Sequence, residues 1–129
     1  MAAPQNHWRV FGASVRGKSH LDKGVPCQDA HAQAVAGDTL VAIVCDGAGS
    51  ARHSEQGAQF VATQAVLALA ERLRMGASLQ DLQAGALAAT LVQIRAALDE
   101  LASAAGATLD DYATTVVGVV MGPDDGFFL

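Results

Sequence analysis

Asp29 and Asp46 are the residues of this chain whose setting could do chemistry. They bracket the stretch DAHAQAVAGDTLVAIVCDGAGS, in which Gly37-Asp38 is a two-residue turn signal of the kind that closes a tight hairpin. With those two residues as the loop, Ala36 faces Thr39, and counting outward puts Asp29 directly opposite Asp46. Opposed residues project from one face of a sheet with Cβ atoms about 5 Å apart, and like charges so placed destabilise the pair. At an effective dielectric near 20 the repulsion is on the order of 3 kcal/mol. A divalent cation or its hydration shell would offset it. Gly47 and Gly49, just after Asp46, let the backbone turn sharply and present carbonyls or amides to a ligand.

The elements that must position these acids are legible on either side. Thr39 to Cys45, TLVAIVC, is a continuous apolar run that reads as a strand buried on both faces. Upstream, Trp8 to Val15 reads as a first strand with Gly12 at a bulge or close approach. Arg16 to Gln28 reads as a loop, because Gly17, Gly24 and Pro26 break any period. Downstream, Ser54 reads as an N-cap with Glu55 in the first turn, and Val61, Ala65, Leu69 and Leu73 form an inward stripe. Arg72 and Arg74 suit the last turn and Gly76 the C-terminal cap. Ser78 to Asp81 opens a second helix as an acidic capping box; its seam runs Leu87, Leu91, Ile94, Leu98, Leu101 and stops at Gly106. The two helices are expected as an antiparallel pair laid across the sheet. Tyr112 to Met121 reads as a strand, Gly122 to Gly126 as a turn, and Phe127 begins a further strand. A chain ending in an apolar strand reads as the N-terminal part of a larger domain.

At 129 residues the chain fits one domain able to bury a core, and its alanine-rich, aromatic-poor composition favours close-packed helices on a sheet. The net charge of −5 argues against general nucleic-acid binding. Before Val25, however, Arg9, Arg16, Lys18 and Lys23 outnumber the single acid Asp22, so a basic segment leads into the acidic hairpin. Cys27 and Cys45 form neither a CxxC pair nor a disulfide framework and fit a reducing, cytoplasmic setting. The N-terminal MAAPQNHWRV has no apolar signal region, and no run is long enough to span a bilayer.

The series SVRGKSH, GVPCQDA, VAIVCDGAGSA with SEQGA after it, and DYATTVVGVV resembles the bacterial branch of the metal-dependent PPM-type protein phosphatases, the type 2C serine/threonine phosphatases. The resemblance extends over nearly the whole chain. It implies an α+β fold, a four-layer α-β-β-α sandwich of antiparallel sheets flanked by antiparallel helix pairs, of which residues 1–129 would be the N-terminal part, incomplete at the C-terminus. It implies a two-metal Mn²⁺ or Mg²⁺ centre in which Asp46 bridges both ions, Gly47 lends its carbonyl and Asp29 holds a metal through water. Bridged metals would lower the pKa of a shared water for in-line attack on phosphorus. The implied substrate is a phosphoprotein, with a paired serine/threonine kinase as a further partner.

The sequence departs from that pattern in places. Gly24 stands where many members carry a phosphate-binding arginine, leaving Arg16, His20 or Lys23 to serve; a guanidinium suits bidentate phosphate contact. Ala48 stands where some eukaryotic members carry a histidine general acid. The family's remaining metal aspartates would lie beyond Leu129, so this chain by itself is expected to be inactive. His31 shares the Asp29 face and is expected to be structural, as are Thr114 and Thr115 through packing and hydrogen bonding; His7 and His53 are expected at the surface. A non-catalytic alternative is a degenerate phosphatase-like module that binds phosphoproteins or a regulatory partner. A GAGS nucleotide loop is a third, but it lacks the P-loop lysine and Asp46 would repel phosphate.

Overall fold

The computed structural model describes residues 8–129; His7 lies outside them. A short helix α1 (Lys18–Asp22) precedes strands β1 (Asp29–Ala36) and β2 (Thr39–Asp46) and the long helix α2 (Ser54–Arg74). A second helical run follows as α3 (Leu79–Asp81), a π-helical turn (Leu82–Ala86) broken at Gly85, and α4 (Leu87–Ala104). A 3₁₀ turn (Leu109–Tyr112) then leads to β3 (Val117–Met121) and β4 (Gly126–Phe128). The strands form one antiparallel sheet in the order β1-β2-β3-β4. The fold is α+β, and these residues supply one helix layer and one sheet of the expected sandwich.

Local signals set the helix ends. The Ser78 hydroxyl accepts from the Asp81 amide at 3.0 Å while the Asp81 carboxylate accepts from the Ser78 amide at 2.8 Å, the reciprocal pairing that a capping box requires. At the end of α2, the Gly76 amide donates to the Leu73 carbonyl and Ala77 to Arg72, and Gly106 and Ala107 repeat this pattern after α4. Ser54 is not the N-cap: His53 takes that place and Ser54 is the first helical residue, because the His53 amide is tied to the Asp111 carbonyl at 2.7 Å.

The core lies between one face of the sheet and the helices. Val41, Ile43 and Cys45 of β2 and Val120 of β3 meet Val61, Ala62, Ala65 and Leu69 of α2. The expected inward stripe of α2 is present, with Leu73 partly buried beside it. On α4 the buried row is Thr90, Ile94, Leu98 and Ala102, spaced by four, while Leu101 is exposed. The difference arises because α4 packs against α2 and the 3₁₀ turn rather than across the strands, so only a narrow row is covered.

Three strand expectations are corrected. Trp8–Val15 forms no strand: Trp8 Nε1 donates to the Asp38 carbonyl at 2.8 Å and Gly12 sits against the His31 ring, but the backbone joins no ladder, and Phe11 is 94% exposed. The strand after the helices begins at Val117, since Leu109–Tyr112 coils into a turn held by its own box of Thr108 and Asp111. β2 is buried on one face only, with Val44 54% exposed, because helices cover just one side of the sheet. The loop Arg16 to Gln28 also contains α1.

Candidate functional site

Counting outward from Gly37-Asp38 is correct at every step: Ala36 pairs with Thr39, and the ladder runs without a bulge to Asp29 opposite Asp46. Both acids therefore project from the face away from the helices, at the end of the sheet where β2 passes into the Gly47–Ser50 loop. Both are exposed. In that position the effective dielectric is closer to that of water, and their repulsion falls to about 1 kcal/mol. The larger value at a dielectric near 20 does not apply to this exposed pair. Among the described residues, no hydrogen bond or ion pair engages either carboxylate, so both are free to meet a ligand.

The loop after Asp46 is stapled from two sides. The Gly47 amide donates to the Gln28 carbonyl at 3.0 Å and Ala48 donates to the Ala113 carbonyl at 2.9 Å. A Cβ on residue 47 would stand 2.7 Å from both the Gln28 and the Ser54 carbonyl oxygens, so only glycine fits where these three backbones converge. Further along, the Ala51 amide closes a turn onto Ala48, and the His53 ring lies 5.1 Å from the Tyr112 ring. His53 is thus half-buried as a cap and ring partner and is not simply a surface residue.

From the other side, residues 114 and 115 hold the peptide of Asp46. The Thr115 amide donates to the Asp46 carbonyl at 2.9 Å, the Asp46 amide donates to Thr115 Oγ1 at 3.1 Å, and Thr114 Oγ1 donates to the Asp46 carbonyl at 3.0 Å. The expectation that these threonines serve through hydrogen bonding is met. Which atoms they hold was beyond the sequence, because the partners are 69 and 68 residues apart.

The basic residues are less closely drawn in. Arg16 and Lys23 are exposed on either side of α1, and His20 is half-buried within it. No hydrogen bond or ion pair among the described residues joins any of them to Asp29 or Asp46. His31 lies on the Asp29 face and its Nδ1 is 3.1 Å from Gln33 Oε1, in keeping with a structural part. A groove of about 350 Å³ lies on the helix side, walled by Ile94, Leu98, Tyr112 and Val116, and it reaches the Asp46 neighbourhood through Ala113 and Thr114. Among the described residues, no group of three or more His, Cys, Asp or Glu is placed to hold a metal ion.

The acid pair, its glycine loop and the threonine segment all fall within residues 16–129, which match the family model described as Protein phosphatase 2C. The chain belongs to the protein phosphatase 2C family. It is 32% identical over 123 residues to Serine/threonine-protein phosphatase 3 of Escherichia coli (strain K12), an alignment that takes in 91% of this chain and 47% of that protein. The chain spans about half the length of the curated relative it matches. No solved structure matches it. In this protein phosphatase 2C chain, three of the sequence signals that resemble the family converge at one end of the sheet: the DG loop, the acid of the preceding strand and the threonine pair. No helix of the described residues is long and apolar enough to cross a membrane.

Proposed function

We propose that the protein containing this chain hydrolyses phosphoserine and phosphothreonine in proteins with the help of two divalent cations, Mn²⁺ or Mg²⁺, and that Asp29, Asp46 and the Gly47 carbonyl are this chain's share of the metal cage. The observation that carries the reading is the direct pairing of Asp29 with Asp46 at an exposed strand end. Two unengaged carboxylates and a backbone carbonyl are hard oxygen donors of the kind that Mg²⁺ and Mn²⁺ prefer, so the residues present fit part of such a site. They leave most of two coordination shells to other donors, so we expect the 129-residue chain alone to turn over substrate poorly or not at all. When bound, the cations would supply an activated water and neutralise phosphoryl oxygens.

The chain's own residues have distinct parts in this reading. Asp46 and Asp29 would hold the cations from one sheet face, with Asp46 the ligand shared between them, as the family resemblance implies. Arg16 and Lys23 would supply positive charge and His20 a ring nitrogen for the substrate phosphate, the Arg16 guanidinium fork being the group suited to two phosphoryl oxygens. The setting is cytoplasmic, the substrate a phosphoprotein, and a serine/threonine kinase its natural counterpart.

The test is hydrolysis of a phosphothreonine peptide, with and without Mn²⁺, by the 129-residue chain and by the protein extended along its reading frame, each beside Asp46→Asn. Metal-dependent turnover by the extended protein, lost in Asp46→Asn, supports the phosphatase. A folded extended protein that binds phosphopeptide but never turns it over would replace it with a phosphoprotein-binding module.

A further inference from the structure

The ladder between β2 and β3 opens at one place. Its register pairs Val44 with Val117 and continues through the bridge of Gly47 with Thr114, which sets Thr115 directly opposite Asp46. In a regular antiparallel pair such residues exchange two main-chain bonds, each amide donating to the other's carbonyl. Here only one is made: the Thr115 amide donates to the Asp46 carbonyl at 2.9 Å. The returning bond goes from the Asp46 amide to the Thr115 side chain, Oγ1, at 3.1 Å. A hydroxyl stands in for a carbonyl at the residue that carries the site's central carboxylate.

We propose that Thr115 is a positioning residue for Asp46: it holds both polar ends of the Asp46 backbone and so fixes the direction in which the carboxylate faces Asp29. The inference concerns Asp46 as a ligand and rests on the metal-site reading for its consequence, though not for its geometry. The bonding pattern singles out Thr115. Thr115 contacts the amide and the carbonyl of one residue at once. Its β-branched side chain has restricted χ1, so Oγ1 stays where the amide needs it. Thr114 is a weaker counterpart, because its hydroxyl shares the Asp46 carbonyl with the Thr115 amide and can donate instead to the Thr115 carbonyl at 3.1 Å. Thr115 is exposed, so the clamp is not a by-product of core packing.

The experiment is nuclear magnetic resonance on the 129-residue chain, comparing wild type with Thr115→Val, Thr115→Ser and Thr114→Val. Three readouts are taken: hydrogen exchange at the Asp46 amide, the Hα–Hβ couplings that report its χ1 rotamer, and broadening of the Asp29 and Asp46 signals on titration with MnCl₂. Thr115→Val keeps the shape and removes the acceptor. It should speed Asp46 exchange about tenfold or more, average its χ1 couplings and raise the Mn²⁺ midpoint several-fold, with exchange in the Val41–Ile43 core unchanged. Thr115→Ser, which restores the oxygen without the methyl, should recover most of each effect, and Thr114→Val should show little of any. Unchanged exchange and couplings in Thr115→Val, or a serine variant no better than valine, would overturn the proposal. Absence of any Mn²⁺ broadening at Asp46 in wild type would instead sink the metal reading, while exchange and couplings still decide the clamp.

Discussion

Gly57 of α2 and Tyr112 of the 3₁₀ turn meet backbone to backbone: a Cβ on Gly57 would run into the Tyr112 carbonyl. This contact brings the start of α2 against the segment that carries Ala113, Thr114 and Thr115 to the Asp46 loop. Gly57→Ala should therefore cost about 3 kcal/mol, at the upper end for overpacking, because the obstacle is backbone and cannot rotate away. Urea denaturation of the two proteins measures it, and a midpoint equal to wild type would show that the turn can recede.

The helix pair is joined near its connecting loop by a polar contact within the buried row. Thr90 Oγ1 donates to the Ala86 carbonyl at 2.7 Å and accepts from Arg72 Nε at 3.0 Å. Thr90→Val removes both bonds at a residue that is 1% exposed. A loss of about 1 to 2 kcal/mol is expected, and little further loss when Arg72→Met is added, as a double-mutant cycle in urea would read.

Asp46→Asn should act in opposite directions with and without metal. In metal-free buffer it relieves a cross-strand like-charge contact, so the melting temperature should hold or rise slightly. In excess MnCl₂ the wild-type melting temperature should climb and the variant's should not, because a ligand that binds only the folded state stabilises by mass action. Equal Mn²⁺ shifts in the two proteins would remove Asp46 from the metal site.

Two capping-box acids contribute to acid sensitivity. The Ser78 amide and then its hydroxyl hold the Asp81 carboxyl below its usual 3.8, and the Thr108 amide does the same for Asp111, with its hydroxyl, Arg52 and His53 adding to the effect. A depressed folded-state pKa contributes stability that is present above the unfolded value and is lost as pH falls through the folded one. Melting temperature should thus decline from about pH 4 downward. In Asp81→Asn and Asp111→Asn, which cannot change charge, the decline should be shallower than in wild type.

The two thiols should separate cleanly. Burial pushes the Cys45 thiol up to about 11, and the side chain is fully enclosed, whereas Cys27 is half-exposed at the start of the hairpin. A disulfide reagent at pH 8 should modify one thiol, Cys27, in the native protein and the second only on unfolding, since the thiolate is the reactive form. Rapid titration of both in native buffer would contradict the packing of β2 against α2.

What the sequence determined by itself is what short-range chemistry can enforce. Gly37-Asp38 dictated a two-residue loop, and once the loop is set the pleat leaves one partner for each strand residue, which is why Asp29 opposite Asp46 could be read from the chain. The Ser78–Asp81 box and the glycines at 76 and 106 marked helix ends within a few residues of their bonding partners. Tertiary structure decided the rest, because a strand or a buried face is a property of two partners. Trp8–Val15 has strand-like residues and joins no ladder, and Leu40–Cys45 is apolar throughout and buried on one side. Of the leucine seam of α4, Ile94 and Leu98 are buried and Leu87 partly so, while Leu101 is exposed and Thr90 and Ala102 complete the row, because α2 and the 3₁₀ turn settled which row was covered. The hold of Thr115 on Asp46 likewise exists only where β3 has come alongside β2, at a separation of 69 residues that no local pattern spans.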